Sequence, residues 1–408
     1  MAQLSHLTIR DFRNIARADL SLPPEGIAVV GENGHGKTNL LEAVYYFHVL
    51  RSMRGARDQD LVRFDAPAFF LSATVQSTTP GATRDTRHEL SAAFETRGKR
   101  KKIVVDGGET ARLSQALGAL PSVVVSPRDV ELVLGAPSTR RRFLDIVLAL
   151  TSPRYLAALQ AYRNVLARRN AVLRDAARTG RADDSVTVWE PALAEHGATL
   201  IAERAEWIAH NAQAFSALCA AIGEQSSVAI RYGTGIPVSW IRRDDKHATP
   251  QSGHHTAPHE VQHVARDTIR DALRDALERK RSFDLKRGAT HVGPHRDELH
   301  LTLGGHDLRT FGSAGQQRTV AIALRMLEAS TLREHTGAPP LLLLDDPFAE
   351  LDPRRAEHIL SLLHDSGIGQ TILTVPRAGD IPDEFTKLAR WRMTNGALTP
   401  EQRAGATA

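Results

Sequence analysis

Residues 31–38, with the sequence GENGHGKT, fit the pattern GxxxxGK[ST], in which every fixed position handles phosphate. Gly31, Gly34 and Gly36 allow a tight backbone turn that aims N–H groups at phosphate oxygens. Lys37 neutralises their charge, and the Thr38 hydroxyl can ligate Mg2+. Almost the whole chain away, the four leucines 341–344 are followed by two carboxylates, Asp345 and Asp346. Asp345 is suited to holding Mg2+ through water, and Asp346 stands where a general base would orient or activate an attacking water. The two segments must meet in space to build one nucleotide site. Its binding candidates are Gly31, Glu32, Asn33, Gly34, His35, Gly36, Lys37, Thr38 and Asn39; the catalytic candidates are Asp346 and Lys37, and the Mg2+ candidates Thr38 and Asp345.

The elements that must position these groups can be read around them. Residues 27–30 are a short apolar run that ends in the glycine loop, and residues 39–46 continue as a helix whose N-terminus faces the anion. The 341–344 run reads as a buried strand that delivers its carboxylates at the carboxyl end, where parallel sheets bind ligands. Read alone, the first segment could be an ordinary glycine-rich turn and the second a pair of helix-capping aspartates. Together they favour the nucleotide site.

A third element narrows the choice. Residues 311–318 read FGSAGQQR and lead into the helical run 319–328. Ser313 and Gly315 at a helix N-terminus make a second anion cradle, and one nucleotide does not need two cradles from the same subunit. The segment Ser313, Ala314, Gly315, Gln316 and Gln317 resembles the signature motif of ABC-type ATPases. The resemblance implies that the signature of one subunit closes over the γ-phosphate held by another, in an ATP-dependent homodimer. Glu350, Leu351 and Asp352 match that superfamily's D-loop, which lies along the same seam.

The resemblance extends further. The start LTIRDFRN (7–14), the phosphate loop, Ser126-Pro127 with RRRFLD (140–145), THVGPHRD (290–297), GQQRT (315–319) and Asp345-Asp346 are similar, in order and over nearly the whole chain, to the bacterial RecF family. That family resembles the heads of SMC proteins without their long coiled coil. Membership implies ATP-dependent dimerisation on double-stranded DNA and weak, DNA-stimulated ATP hydrolysis with ATP and Mg2+ as cofactors. It also implies action at gapped DNA in recombinational repair and recombinase loading, with RecR and RecO as partners. Three departures stand out. Arg128 follows Ser126-Pro127 where relatives commonly carry an acid, so that carboxylate's role is absent or has moved. Asp346 replaces the glutamate of transporter ATPases, and its shorter arm implies slow turnover. No histidine ends the strand 370–375, where many ABC enzymes place a γ-phosphate sensor; Thr374 is the nearest polar candidate.

The texture of the chain predicts an α/β fold with an inserted α-helical lobe, and the resemblance implies that the fold is a discontinuous ABC-type P-loop ATPase head with no long coiled coil. The head is expected over 1–126 and 282–408, and the lobe over 127–281. Period-two stretches near 69–75, 88–94 and 102–105 predict strands. From Ser138 the pattern turns helical, with residues 179–184 the strong break before Ala220, so a helical hairpin is expected. Leu193, Leu200 and Trp207, with Ile201, Ile208 and Phe215 beside them, recur every seven residues and predict a stripe packed on a partner helix. A helix is expected over 260–281.

Between His247 and His263 lie five histidines, of which His259 and His263 would share a helical face as metal ligands do. Pro258 and the lack of a completing carboxylate or cysteine favour a solvated loop. The single cysteine, Cys219, excludes a disulfide framework, and a small buried role is expected of it. With 408 residues, no apolar run near twenty and no charged start leading into an apolar stretch, the chain is expected to be cytoplasmic, without membrane association.

The formal charge of +5 only permits nucleic-acid binding; the clustering of basic residues matters more. Lys99, Arg100, Lys101 and Lys102 on a hairpin turn, and Arg140, Arg141 and Arg142 on the lobe, are the DNA-contact candidates, with Arg168 and Arg169 beside them. Aromatics make up 5% of the chain and form no ladder near these clusters, which favours contact with a duplex backbone over stacking on single strands. Two other classes remain as alternatives: the ATPase subunit of an ABC transporter, and a monomeric P-loop phosphotransferase. The first would copurify with membranes, and the second would phosphorylate an acceptor without dimerising.

Overall fold

The computed structural model describes residues 2–77, 86–110, 113–180, 184–236, 264–349, 351–365 and 369–401. Glu350 and the histidine-bearing residues 247–263 lie outside them. The chain forms two compact units, residues 1–129 with 324–408, and residues 130–323. The expected boundaries were 126 and 281. Residues 282–323 group with the helical unit because Glu298–Leu303 pairs antiparallel with Val228–Gly233, and Arg140 Nε donates to Glu298 Oε1 at 2.7 Å.

Among the described residues the first unit contains two six-stranded sheets. One is antiparallel, in the order Ile15–Ser21, Ala2–Phe12, Ala68–Ser77, Thr86–Glu95, Arg100–Val105, Gly108–Glu109, and its middle strands carry the period-two stretches of the sequence. The other runs Ala397–Pro400, Ala389–Thr394, Gly26–Val30, Thr371–Val375, Leu341–Asp345, Ser122–Val125. All its pairings are parallel except that of Ala397–Pro400. Its central strands Gly26–Val30 and Thr371–Val375 are buried at every residue, as a parallel sheet covered on both faces requires.

The helix Lys37–Val49 is buried on nearly every side, and one core cluster joins its Leu40, Leu41, Val44, Tyr46 and Phe47 to side chains of both sheets. Two polar residues tie this layer together. The Gln370 side chain accepts from Leu4 N at 2.7 Å and donates to Leu4 O and Pro23 O, each at 2.8 Å. The buried His48 accepts at Nδ1 from Ser122 N at 3.2 Å; burial pushes its pKa down to about 3, so it is neutral.

The second unit holds the helices Pro137–Thr151, Pro153–Thr179, Glu190–Ile222 and Arg266–Arg287, with the three-stranded sheet His306–Asp307, Glu298–Leu303, Val228–Gly233. The hairpin is present, with Gly180 in the left-handed region ending its first arm. A further break falls at Ser152, whose extended backbone is the one that a following proline favours. Ser152 Oγ then caps the next helix by accepting from Tyr155 N at 3.1 Å. The heptad stripe is buried from Leu193 to Phe215. The last of the four helices spans Arg266–Arg287, past the expected end, and Gly288 ends it; the expected start at 260 lies outside the described residues. Cys219 is buried, and its thiol is pushed up to about 12 by burial and by Glu224. Among the described residues no helix is long and apolar enough to cross a membrane.

Candidate active site

The glycine loop leaves the buried strand Gly26–Val30 between two parallel neighbours, and close backbone approach fixes its residue types. Gly31 N donates to Val375 O at 3.2 Å, and a Cβ on Gly31 would lie 2.4 Å from Met393 O. At Gly36, φ is +110° and a Cβ would come within 2.5 Å of Asn14 Oδ1. Asn14 clamps the loop: its Nδ2 donates to His35 O at 3.0 Å and its Oδ1 accepts from Asn39 Nδ2 at 2.8 Å. Gly396 N also donates to His35 O, at 2.8 Å. Asn14 lies in the LTIRDFRN segment, but no sequence pattern gave it this role because its partners are twenty and more residues away. Gly31, Glu32 and Asn33 also line a pocket of about 520 Å3 with Pro376, Arg377, Ala378 and Arg392.

Lys37 is buried, and its Nζ donates to Gly31 O and to Glu32 O, the latter at 3.0 Å, so the ammonium bridges the inside of the loop. Burial holds its pKa below the usual lysine range, while Asp345 and Asp346 act in the opposite direction. Thr38 Oγ1 donates to Asp345 Oδ2 at 2.8 Å. The two distant sequence segments therefore meet. Thr374, the sequence candidate for a phosphate sensor, is fully buried and donates instead to Asp345 Oδ1 at 2.9 Å. It orients a carboxylate, a role invisible in sequence because strand pairing alone brings residue 374 beside 345.

Asp346 begins the turn after the strand in the left-handed region, with φ +47°. Its N–H donates to Thr374 O at 2.9 Å. Burial, then the charge of Asp345, raises its carboxyl pKa; Lys37 lowers it and Asp380 adds to the rise. A carboxyl raised in this way is suited to exchange a proton with a bound water. The hydroxyl of Thr38 and the carboxylate of Asp345 are hard oxygen donors 2.8 Å apart, a donor set that fits Mg2+ and no soft metal. Bound there, the ion would neutralise phosphate charge.

Behind the loop, the fully buried carboxylate of Glu42 accepts from Arg13 Nε at 2.9 Å, from Arg54 and from Ser52. Burial raises its pKa, but these hydrogen bonds outweigh burial and leave it lowered, so the helix after the loop carries a permanent buried anion matched by two arginines.

In the helical unit, the signature begins the helix Ala314–Thr336 with a reciprocal cap. Ser313 N donates to Gln316 Oε1 at 2.9 Å and Gln316 N to Ser313 Oγ at 3.3 Å. Ser313 and Ala314 are exposed, Gly315 is half-buried, and Gln317 is buried, donating to Gly312 O at 2.9 Å. In the D-loop, Asp352 Oδ1 caps the helix Pro353–Asp365 by accepting from Arg355 N at 3.0 Å, and Leu351 is half-buried. Asp129, one residue beyond Arg128, accepts from Ser126 N at 2.6 Å and from Arg325 Nε at 2.9 Å. The acid missing at 128 thus has a neighbour that closes this turn.

The basic clusters divide sharply. Lys99, Arg100 and Lys102 are exposed on the 96–99 turn and the strand after it, and Arg142 is exposed on its helix. Arg141 is half-buried and donates to Asp297 O at 2.7 Å. Three candidates require correction. Arg140 is buried, with NH1 on the carbonyls of Leu132, Val133 and Gly135. Lys101 turns inward to Leu50 O and Asp58. Arg169 is fully buried on Asp284, Thr290 and Glu190. These cations bind the protein's own oxygens and are not available to DNA.

Residues 3–397 match the family described as the RecF/RecN/SMC N terminal domain. The chain is 34% identical to the DNA replication and repair protein RecF of Roseiflexus castenholzii, covering 97% of this chain and 99% of that one. It is 35% identical to the protein of the same name from Chloroflexus aggregans, covering 97% and 99%. Among solved structures, the recombination mediator protein RecF with ATP superposes with a TM-score of 0.83 at 26% identity over 98% of both chains. With its mixed α/β fold and no long coiled coil among the described residues, the chain belongs to the RecF family of ATPases.

Proposed function

We propose that this protein is an ATP-controlled clamp on duplex DNA. Lys37 and Thr38 hold MgATP in each subunit, and the exposed Ser313 and Ala314 with the half-buried Gly315, and Gln316 and Gln317 behind them, close over the nucleotide of a second copy. Leu351 and Asp352, with Glu350, border that seam. On this reading residues 282–323 work as part of the ATPase head although they pack with the helical unit. The dimer presents Lys99, Arg100, Lys102 and Arg142 to the backbone of double-stranded DNA. Hydrolysis assisted by Asp346 reopens it, slowly, with DNA as the stimulus. The cellular setting is recombinational repair at gapped DNA in the cytoplasm, with RecR and RecO as partners that help load recombinase. The solved ATP-bound relative, described within the RecFOR pathway, supports this setting.

The observation that carries the reading is the Thr38–Asp345 hydrogen bond of 2.8 Å, which joins the phosphate loop to the paired aspartates in one nucleotide site, while a capped and exposed signature helix start stands ready for a second copy. The test is the solution mass of Asp346→Asn protein with ADP, with ATP, and with ATP plus duplex DNA. A monomer that dimerises only with ATP and then holds duplex more tightly supports the clamp. Ser313→Arg should retain ATP binding and lose the dimer; a Ser313→Arg protein that still dimerises with ATP overturns the role given to the signature.

A further inference from the structure

The RRRFLD segment lies on the helix Pro137–Thr151, and helical spacing sends its arginines in different directions. Arg140 enters the core, whereas Arg141 and Arg142 line a pocket of about 260 Å3 in the helical unit. Other walls come from Tyr162 and Arg163 on Pro153–Thr179, Arg204 on Glu190–Ile222, and His295. Four guanidinium groups therefore line this space, and among its lining residues Asp145 is the one carboxylate.

That carboxylate is already saturated. Asp145 accepts from Tyr155 Oη at 2.6 Å, from Arg204 at 2.7 Å and from Arg163 at 2.9 Å. Arg204 is likewise consumed, with Nε on Tyr155 Oη at 2.8 Å and NH1 on Pro294 O at 2.7 Å. His295 adds no charge. It faces the Tyr162 hydroxyl at 2.7 Å and Thr290 O at 3.0 Å, and burial, with Arg296 and Arg141 acting the same way, pushes its pKa down to about 4. The unspent donors rest on Arg141. Arg141 gives one N–H to Asp297 O; among the described residues its other guanidinium N–H groups have no hydrogen-bond partner. Burial, then the nearby Arg204, disfavours its charge and leaves its pKa lowered although Glu298, Asp297 and Asp145 act the other way, and an incoming anion would relieve that cost.

We propose that this pocket binds a phosphate group. A guanidinium offers paired N–H donors that match two oxygens of a phosphate, and Arg141 holds such donors in a pocket lined by four arginines and one carboxylate. Its volume lies below the ~300–1,000 Å3 of sites that enclose whole small molecules, which favours a single phosphoryl group over an entire nucleotide. The phosphate comes either from the backbone of duplex DNA or from free phosphate. The first source rests on the proposed function; the pocket's chemistry does not.

The test uses full-length protein and the variants Arg141→Gln, Arg163→Gln and Ser138→Asp, the last adding a negative charge in the pocket lining without removing an arginine. Thermal unfolding without phosphate identifies any variant that has lost its fold, and ATP binding should be unchanged in those that keep it. In the first arm, duplex affinity is measured by anisotropy across a salt series with ATP present. A backbone source predicts roughly tenfold weaker binding and a salt slope reduced by about one for Arg141→Gln. In the second arm, orthophosphate is compared with chloride at equal ionic strength, and a free-phosphate source predicts a rise in the wild-type melting temperature that the variants lose. Folded variants that behave as wild type in both arms overturn the site. A protein that ignores ATP in its solution mass would defeat the clamp and leave the orthophosphate arm readable.

Discussion

Thr38 Oγ1 lies 2.8 Å from Asp345 Oδ2 although the two residues stand near opposite ends of the chain. The carboxylate's other oxygen accepts from Thr374 Oγ1 at 2.9 Å, so two hydroxyls fix its plane. Thr374→Val keeps the shape of the buried side chain and removes one of those hydroxyls. Partners of metal-ligating groups are commonly worth about 10–100-fold in metal affinity. The Mg2+ concentration needed for half-maximal binding of a fluorescent ATP analogue is expected to rise by that order, with metal-free binding unchanged. An unshifted Mg2+ titration would show that Thr374 does not orient the ligand.

Asp346 should give the reaction an unusual acid limb. Burial and the neighbouring Asp345 raise its pKa, and a raised carboxyl keeps its proton to higher pH. The base form accumulates only as pH climbs through that raised value. Steady-state phosphate release should therefore increase with pH along a limb displaced above the ordinary aspartate value of about 3.9, and level off beyond it. In Asp346→Asn the limb should vanish together with most of the turnover. A limb that survives in that variant belongs to another group.

The glycines of the phosphate loop should not respond alike. A methyl group on Gly31 would meet the Met393 carbonyl at 2.4 Å, so Gly31→Ala must displace the strand Ala389–Thr394 or the loop. Gly34 has φ +86° and open space around it. Gly34→Ala therefore carries only the backbone penalty, about 1–2 kcal/mol. Gly31→Ala is expected to abolish ATP binding in calorimetric titration, and Gly34→Ala to weaken it by roughly tenfold. Equal losses in both would remove the close contact with Met393 as the reason for the first glycine.

These cases explain how much could be read from the sequence. The phosphate loop, the leucine strand and the heptad stripe were legible because their constraints are local: a turn needs glycine, a buried strand needs a continuous apolar run, and a helix stripe needs a fixed period. The roles of Thr374 and Asn14 were not, because their partners are set by strand order and loop path. Charge was the least legible property. Arg140, Lys101 and Arg169 look in sequence like Arg142, Lys102 and Arg168, and only the distant carbonyls and carboxylates they bind separate buried cations from exposed ones. Proline misled in a similar way. Pro153 is compatible with the first turn of a helix, so the run through residues 138–179 looked continuous although the chain breaks at Ser152.

Arg168 and Arg169 offer the sharpest contrast between adjacent residues. Arg169 is fully buried; its NH1 donates to Asp284 Oδ2 and Thr290 Oγ1, each at 2.8 Å, and its NH2 to Glu190 Oε1 at 3.0 Å. Arg168 is exposed, with its guanidinium 5.5 Å from the centre of the Trp189 ring. Removing one partner of a buried ionic cluster leaves the opposite charges uncompensated and costs about 3–5 kcal/mol. An exposed cation–π contact is worth about 0.5–1 kcal/mol. Urea unfolding followed by the helical signal should therefore show a large fall in midpoint for Arg169→Ala and a small one for Arg168→Ala. Arg169→Met, which restores apolar packing but not charge, should remain destabilised, because Asp284 and Glu190 stay buried and lose a partner. If Arg169→Ala instead unfolded like the wild type while duplex binding fell, the arginine would belong to the DNA surface after all, and the buried cluster would contribute nothing to holding the helices together.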